Sequence, residues 1–170
     1  MPRPIRYRTR STHPADALYA AMVNRDQLEA RLAELGGKGA ELLEHTVGDG
    51  SARYRLRHGL AADQLPPVAR VFMPDDLVIE RTETWRHDGE SRYTGDVQVS
   101  IPGTPGKVSG SQTLGSSEDG GSELAIDGQV EIPVPFIGGK IEDIVATQVG
   151  QLLGAENEFT QRWLAANSGS

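Results

Sequence analysis

The sequence predicts an α+β domain of order strand, helix, helix, six strands and a long C-terminal helix, with seven strands in one curved antiparallel sheet. Three observations carry this. Residues 3–10 alternate with period two, placing Ile5, Tyr7 and Thr9 opposite Arg6, Arg8 and Arg10. Residues 38–133 read as short alternating runs broken by turn residues, and two-residue periodicity with close turns is the mark of an antiparallel meander. Lys140 to Ala166 is free of proline and has its apolar residues at helical spacing.

Taken in order, the opening strand gives way at Pro14, where a proline at a first helical position and Asp16 in the first turn start a helix. Ala17, Leu18, Ala21 and Met22 share one face of it, and it stops near Asn24. A second helix carries Leu28, Leu32 and Leu35 and meets Gly36-Gly37, a cap followed by a turn. Strands are expected at 40–47, 51–59, 77–86, 91–101, 107–116 and 122–133, separated by such turns as Gly48-Asp49-Gly50 and Asp88-Gly89-Glu90. Between prolines, Leu65–Met73 reads as a short helical turn with Val68, Val71 and Phe72 on one side. In the final helix, Ile141, Val145, Gln148, Val149, Leu152, Glu156, Phe159 and Trp163 form the expected stripe, while Asp143, Gly150, Gly154 and Glu158 point away. Residues 1–166 are expected to be a single domain, and 167–170 a disordered tail.

Composition narrows the function classes. Of 170 residues, 37% are hydrophobic and 20 are glycine, enough to bury a core. Seventeen basic against 24 acidic residues give a net charge of −7, and with 5% aromatics this argues against nucleic-acid binding. The absence of cysteine removes disulfides, thiol nucleophiles and cysteine-based metal sites, and a reducing, cytoplasmic setting is expected. No run approaches the ~18–20 apolar residues of a membrane span. His13, His45, His58 and His87 show neither HxH nor i,i+4 pairing, so no metal is expected, and no cofactor motif is present. Gly138-Gly139-Lys140 lacks the rest of a P-loop, and Ser109 is misplaced for a nucleophile elbow.

The strand faces supply candidate site residues. Tyr54, Leu56 and His58 lie on one face; Leu77, Ile79, Arg81, Glu83 and Trp85 share another. Tyr93, Gly95, Val97, Val99 and Ile101 form a third, and Leu124, Ile126, Gly128, Val130 and Ile132 a fourth. For 107–116 the better inward set is Val108, Gly110, Gln112 and Leu114. Gly95, Gly110 and Gly128 fall on the inward face of three successive strands, either leaving cavity volume or letting the sheet bend. His58, Arg81, Glu83, Gln112 and Glu156 are polar residues on apolar faces, and burying a charge demands a partner, water or a ligand. The pairing of Arg81 with Glu83, two apart on one strand, is the plainest alternative to a ligand site.

The segment Val130-Glu131-Ile132-Pro133-Val134-Pro135-Phe136-Ile137-Gly138-Gly139-Lys140-Ile141-Glu142, with Trp85 at a strand end and Glu156, Phe159, Trp163 and Leu164 in the last helix, resembles the START-like helix-grip superfamily. Its members include lipid-transfer domains, the major birch pollen allergen and polyketide cyclase/aromatase domains. The chain is most similar to an uncharacterised, mainly actinobacterial family within it, over residues 3–166. The resemblance implies a cavity between the curved sheet and the long helix that holds a lipid, steroid or polycyclic compound. The expected ligand-binding set is Tyr54, His58, Phe72, Arg81, Glu83, Trp85, Tyr93, Gly95, Gln112, Gly128 and Glu156, with Arg81 anchoring a carboxylate, phenolate or carbonyl. Two other readings stand beside it. One is a cyclase- or hydrolase-like enzyme in which Glu156 or Glu83, its pKa raised by burial, is the general acid/base. The other is a protein-interaction module with a filled interior.

Overall fold

The computed structural model describes residues 2–60, 67, 77–101, 105–136 and 138–167. The elements are β1 (Arg3–Ser11), α1 (Ala15–Met22), α2 (Arg25–Leu35), β2 (Glu41–Gly48), β3 (Ser51–Leu60), β4 (Leu77–His87), β5 (Arg92–Ser100), β6 (Lys107–Ser116), β7 (Ser122–Glu131) and α3 (Gly138–Asn167). One antiparallel seven-stranded sheet runs in the order β1-β7-β6-β5-β4-β3-β2. Consecutive strands β2 to β7 pair as a meander, and β1 closes the far edge against β7. With β1 and β2 on opposite edges, α1 and α2 must cross between them. The helical turn expected over 65–73, including Phe72, lies outside the described residues except for Pro67, as do residues 168–170.

Pro14 stands one position earlier than expected, as the residue before α1: its backbone is extended and its carbonyl accepts the Leu18 N–H at 3.0 Å. Asn24 ends one helix and starts the next, its Oδ1 accepting the Gln27 N–H at 3.0 Å. Asp16 is turned to the sheet, where it accepts from Tyr93 Oη at 2.7 Å. Tyr93 in turn stacks on Tyr19, with 3.9 Å between ring centroids, and Trp85 meets Tyr19 edge-on. These contacts fix α1 over β4 and β5. Tyr54, Leu56, Trp85, Leu114 and Leu124 complete the core beneath the short helices.

Along α3 the buried residues are Ile141, Glu142, Leu153, Glu156, Phe159, Thr160 and Leu164, together with Gly138. This corrects the expected stripe: Gln148 is exposed and Trp163 half-buried, while Leu153, Thr160 and Leu164 turn inward. The reason is that the N-terminal half faces the sheet across a cavity, whereas the C-terminal half meets both the sheet, through Arg81 and Thr9, and α2, through Gln27, so the buried face drifts around the helix. Glu142, 3% exposed, accepts the backbone N–H of Ile132 at 2.8 Å and ties the start of α3 to the end of β7. A Cβ added at Gly150 or Gly154 meets nothing within 4 Å. Gly150→Ala and Gly154→Ala are therefore expected to raise stability by about 1 kcal/mol each, read as an increase in urea midpoint.

Of the three inward glycines, Gly95 is a point of close strand approach and not of empty volume. A Cβ there would collide with the carbonyl oxygen of Thr84. That carbonyl also accepts from Gln112 Nε2 at 3.4 Å, while the Asp96 N–H donates to Thr84 Oγ1 at 3.2 Å. Gly95→Ala is expected to cost about 1–3 kcal/mol, because the strands must separate to admit one methyl group. Denaturation that leaves the midpoint unchanged would contradict this packing.

Candidate functional site

Between the sheet and the N-terminal half of α3 lies a cavity of about 280 Å³. The strands contribute Ile79, Val97, Val99 and Ile126, all from inward faces read by alternation, and α3 contributes Ile141, Val145, Val149 and Leu152. Gly110 and Gly128, paired across β6 and β7, form part of the wall. A Cβ on either would press on the other strand's backbone, so these glycines both bend the sheet and thin its wall. The polar lining includes His58 and Arg81, with Lys107, Ser109 and Gln148.

Beside this cavity the sheet and two helices bury four charges. Arg81 on β4 donates from Nη1 to both carboxylate oxygens of Glu156 on α3, each at 2.9 Å. Its Nη2 lies 3.0 Å from Glu83 Oε2, and Arg31 Nε on α2 lies 3.7 Å from Glu156 Oε2. Arg31, Arg81, Glu83 and Glu156 are 3–6% exposed, so two cations balance two anions away from water. Thr160 donates to the Glu156 carbonyl at 3.0 Å and receives Gln27 Nε2 at 2.9 Å, extending the network to α2. Burial alone would raise the Glu156 carboxyl, but Arg31, Arg81 and His58 outweigh it and hold it below the ordinary carboxylate range. Burial would lower the Arg81 guanidinium, and Glu156 and Glu83 reverse that too.

Two expectations change here. Glu156 is a clamped carboxylate whose pKa is lowered, not the raised general acid of the enzyme reading. Arg81 does not stand free for a ligand anion, since Glu156 and Glu83 occupy both of its terminal nitrogens. The remaining candidates divide by place. His58, Arg81 and Gly128 line the large cavity. Arg81 also borders a second, smaller space of about 40 Å³ with Tyr54, Glu83, Gln112 and Glu156. Trp85, Tyr93 and Gly95 line neither: Trp85 is fully buried, donating to Tyr54 Oη at 3.3 Å, and Tyr93 is occupied by Asp16 and Tyr19.

Sequence reasoning missed Arg31, 5% exposed, and Gln27, fully buried. A signal existed, because Arg31 lies three residues after Leu28 and four before Leu35, on the helix face that carries both. Long basic side chains at such positions ordinarily reach water, and only the carboxylate arriving from α3 keeps this one inside.

A curved antiparallel sheet gripped by a long C-terminal helix is the START-like helix-grip fold. Solved structures similar to it include a protein from Thermus thermophilus, at 14% identity, TM-score 0.62 and coverage of 98% of this chain and 99% of that one. Ara h 8.0201 is similar at 17% identity and TM-score 0.58, covering 98% and 100%. So is the Zhui aromatase/cyclase from a Streptomyces species, at 14% identity and TM-score 0.57, covering 98% and 99%. The chain belongs to the family described as protein of unknown function DUF2505, whose model matches residues 6–164. Uncharacterised proteins of Mycobacterium tuberculosis and Mycobacterium bovis are each 30% identical over 158 residues, which cover 89% of this chain and 91% of theirs. Among the described residues no group of three or more candidate metal ligands occurs, and no helix is long and apolar enough to cross a membrane.

Proposed function

We propose that this protein binds a hydrophobic small molecule, such as a lipid, steroid or polycyclic compound, between the sheet and α3. The observation that carries the reading is the 280 Å³ cavity walled by Ile79, Val97, Val99, Ile126 and the Ile141–Leu152 face of α3. Apolar burial of about 25 cal/mol per Å² supplies affinity in such a space, and a few polar groups supply orientation. The similar solved structures include an aromatase/cyclase, but here Arg31 and Arg81 hold the Glu156 carboxyl low, which counts against that residue as the general acid and leaves Glu83 as the other candidate of the enzyme reading.

Extraction of the purified protein followed by mass spectrometry tests this directly, with a co-purifying hydrophobic compound as the expected result. Val99→Phe, which adds bulk inside the cavity, should weaken binding of an apolar fluorescent probe while leaving the melting temperature within a few degrees. A protein that neither carries a compound nor takes up the probe refutes the reading.

A further inference from the structure

We propose that the imidazole of His58 hydrogen-bonds an uncharged hydroxyl or carbonyl group of the ligand, so that the ligand is a neutral oxygenated hydrophobe and not a carboxylate. This rests on the reading that the cavity holds a ligand. His58 lies on β3 opposite Ile79 and lines the cavity, yet it is only 7% exposed and its Nε2 has no hydrogen-bond partner among the described residues. A buried polar group left unpaired is costly, and native structures seldom keep one without a use. Arg81 does not relieve it: its terminal nitrogens go to Glu156 and Glu83, and its Nε, like His58 Nε2, has no hydrogen-bond partner among the described residues.

Charge decides the class of partner. Arg31 and Arg81 already balance Glu83 and Glu156, all four buried. A ligand carboxylate beside His58 would add a third anion to two cations, and an uncompensated charge in a low-dielectric wall is strongly disfavoured. Burial, with Arg81 and Arg31, pulls the His58 pKa down to about 4 against the pull of Glu156, so the ring is neutral at neutral pH. A neutral imidazole has one donor and one acceptor nitrogen, which match a hydroxyl or a carbonyl. Among the described residues, Lys107 is a cation on the cavity wall that no buried carboxylate neutralises, and it is exposed. It offers the rival arrangement, an anionic head held at the surface.

Calorimetric titration of the full chain near neutral pH with naphthalene, naphthol and naphthoate separates these arrangements, since the three probes share one shape and differ in one substituent. Naphthol is expected to bind about tenfold tighter than naphthalene, the worth of one hydrogen bond, and naphthoate more weakly than either. His58→Phe should bring naphthol down to the affinity of naphthalene and leave naphthalene unchanged, and His58→Gln should restore the preference. In the unsubstituted protein, the ring nitrogen resonances of His58 should move on adding naphthol and stay in place on adding naphthalene. Equal binding of naphthol and naphthalene, or tightest binding of naphthoate with its loss in Lys107→Ala, overturns the proposal while the cavity reading stands. Failure of naphthalene itself to bind overturns the cavity reading, and the proposal with it.

Discussion

Glu156→Gln is expected to lower the unfolding free energy by about 3–5 kcal/mol, the cost of breaking a buried ion pair by removing one partner. The carboxylate receives two 2.9 Å bonds from Arg81 and sits 3.7 Å from Arg31, and all three groups are buried. An amide of the same shape can still accept one hydrogen bond from Arg81, but it leaves Arg31 and Arg81 facing Glu83 alone. Urea denaturation at neutral pH measures the loss. Adding Arg31→Met to Glu156→Gln restores the balance of one cation and one anion, and should recover part of it. A loss below about 1 kcal/mol, the range of exposed pairs, would show that water reaches these charges. The acid side carries the same sign: the folded pKa of Glu156 is lowered, so its contribution is present above the unfolded value of 4.5 and disappears as pH falls through the folded one.

Acidification from pH 6.5 to 4 is expected to cost a further 3 kcal/mol or so through His58, whose pKa moves from 6.5 to about 4 on folding. Within that window the unfolded chain takes up a proton that the folded chain refuses, so stability falls as pH falls. The contribution is complete above the unfolded value. Three charged groups act on the ring: Arg81 from β4, Arg31 from α2 and Glu156 from α3. The arginines stay protonated throughout, and Glu156, with its lowered pKa, titrates only below 4.5, so the upper part of the window belongs to the imidazole. His58→Gln should flatten the stability curve between pH 4.5 and 6.5. A slope that survives the substitution would assign the acid sensitivity to another group.

Strand faces were the most legible part of the fold. Alternation alone placed Tyr54, Leu56 and His58 inward on β3, and Arg81, Glu83 and Trp85 inward on β4; all six are buried. The register that brings Leu56 opposite Arg81 and Tyr54 opposite Glu83 follows from close turns joining neighbouring strands. Polar residues on apolar faces were equally visible as an anomaly, and Arg81, Glu83 and Glu156 do meet in one cluster. What each of them does there was not visible. Whether a buried carboxylate rises or falls in pKa depends on the distance to the nearest cations, and one of those cations arrives from α2, 125 positions away in the chain.

Three features show why. Gly95 reads as missing bulk in the sequence, whereas the structure puts the Thr84 carbonyl where its side chain would be; only the approach of two strands distinguishes space from contact. The buried face of α3 cannot be fixed from spacing alone, because its first half meets only the sheet side while its second half meets the sheet and α2 together. Local periodicity thus determined the elements, their order and the faces they bury, since a side chain's direction follows from the backbone carrying it. Tertiary structure decided the lowered pKa of Glu156, the burial of Arg31 and the lack of a partner for His58 Nε2 among the described residues, because desolvation and Coulomb energies depend on distances between groups far apart in the chain.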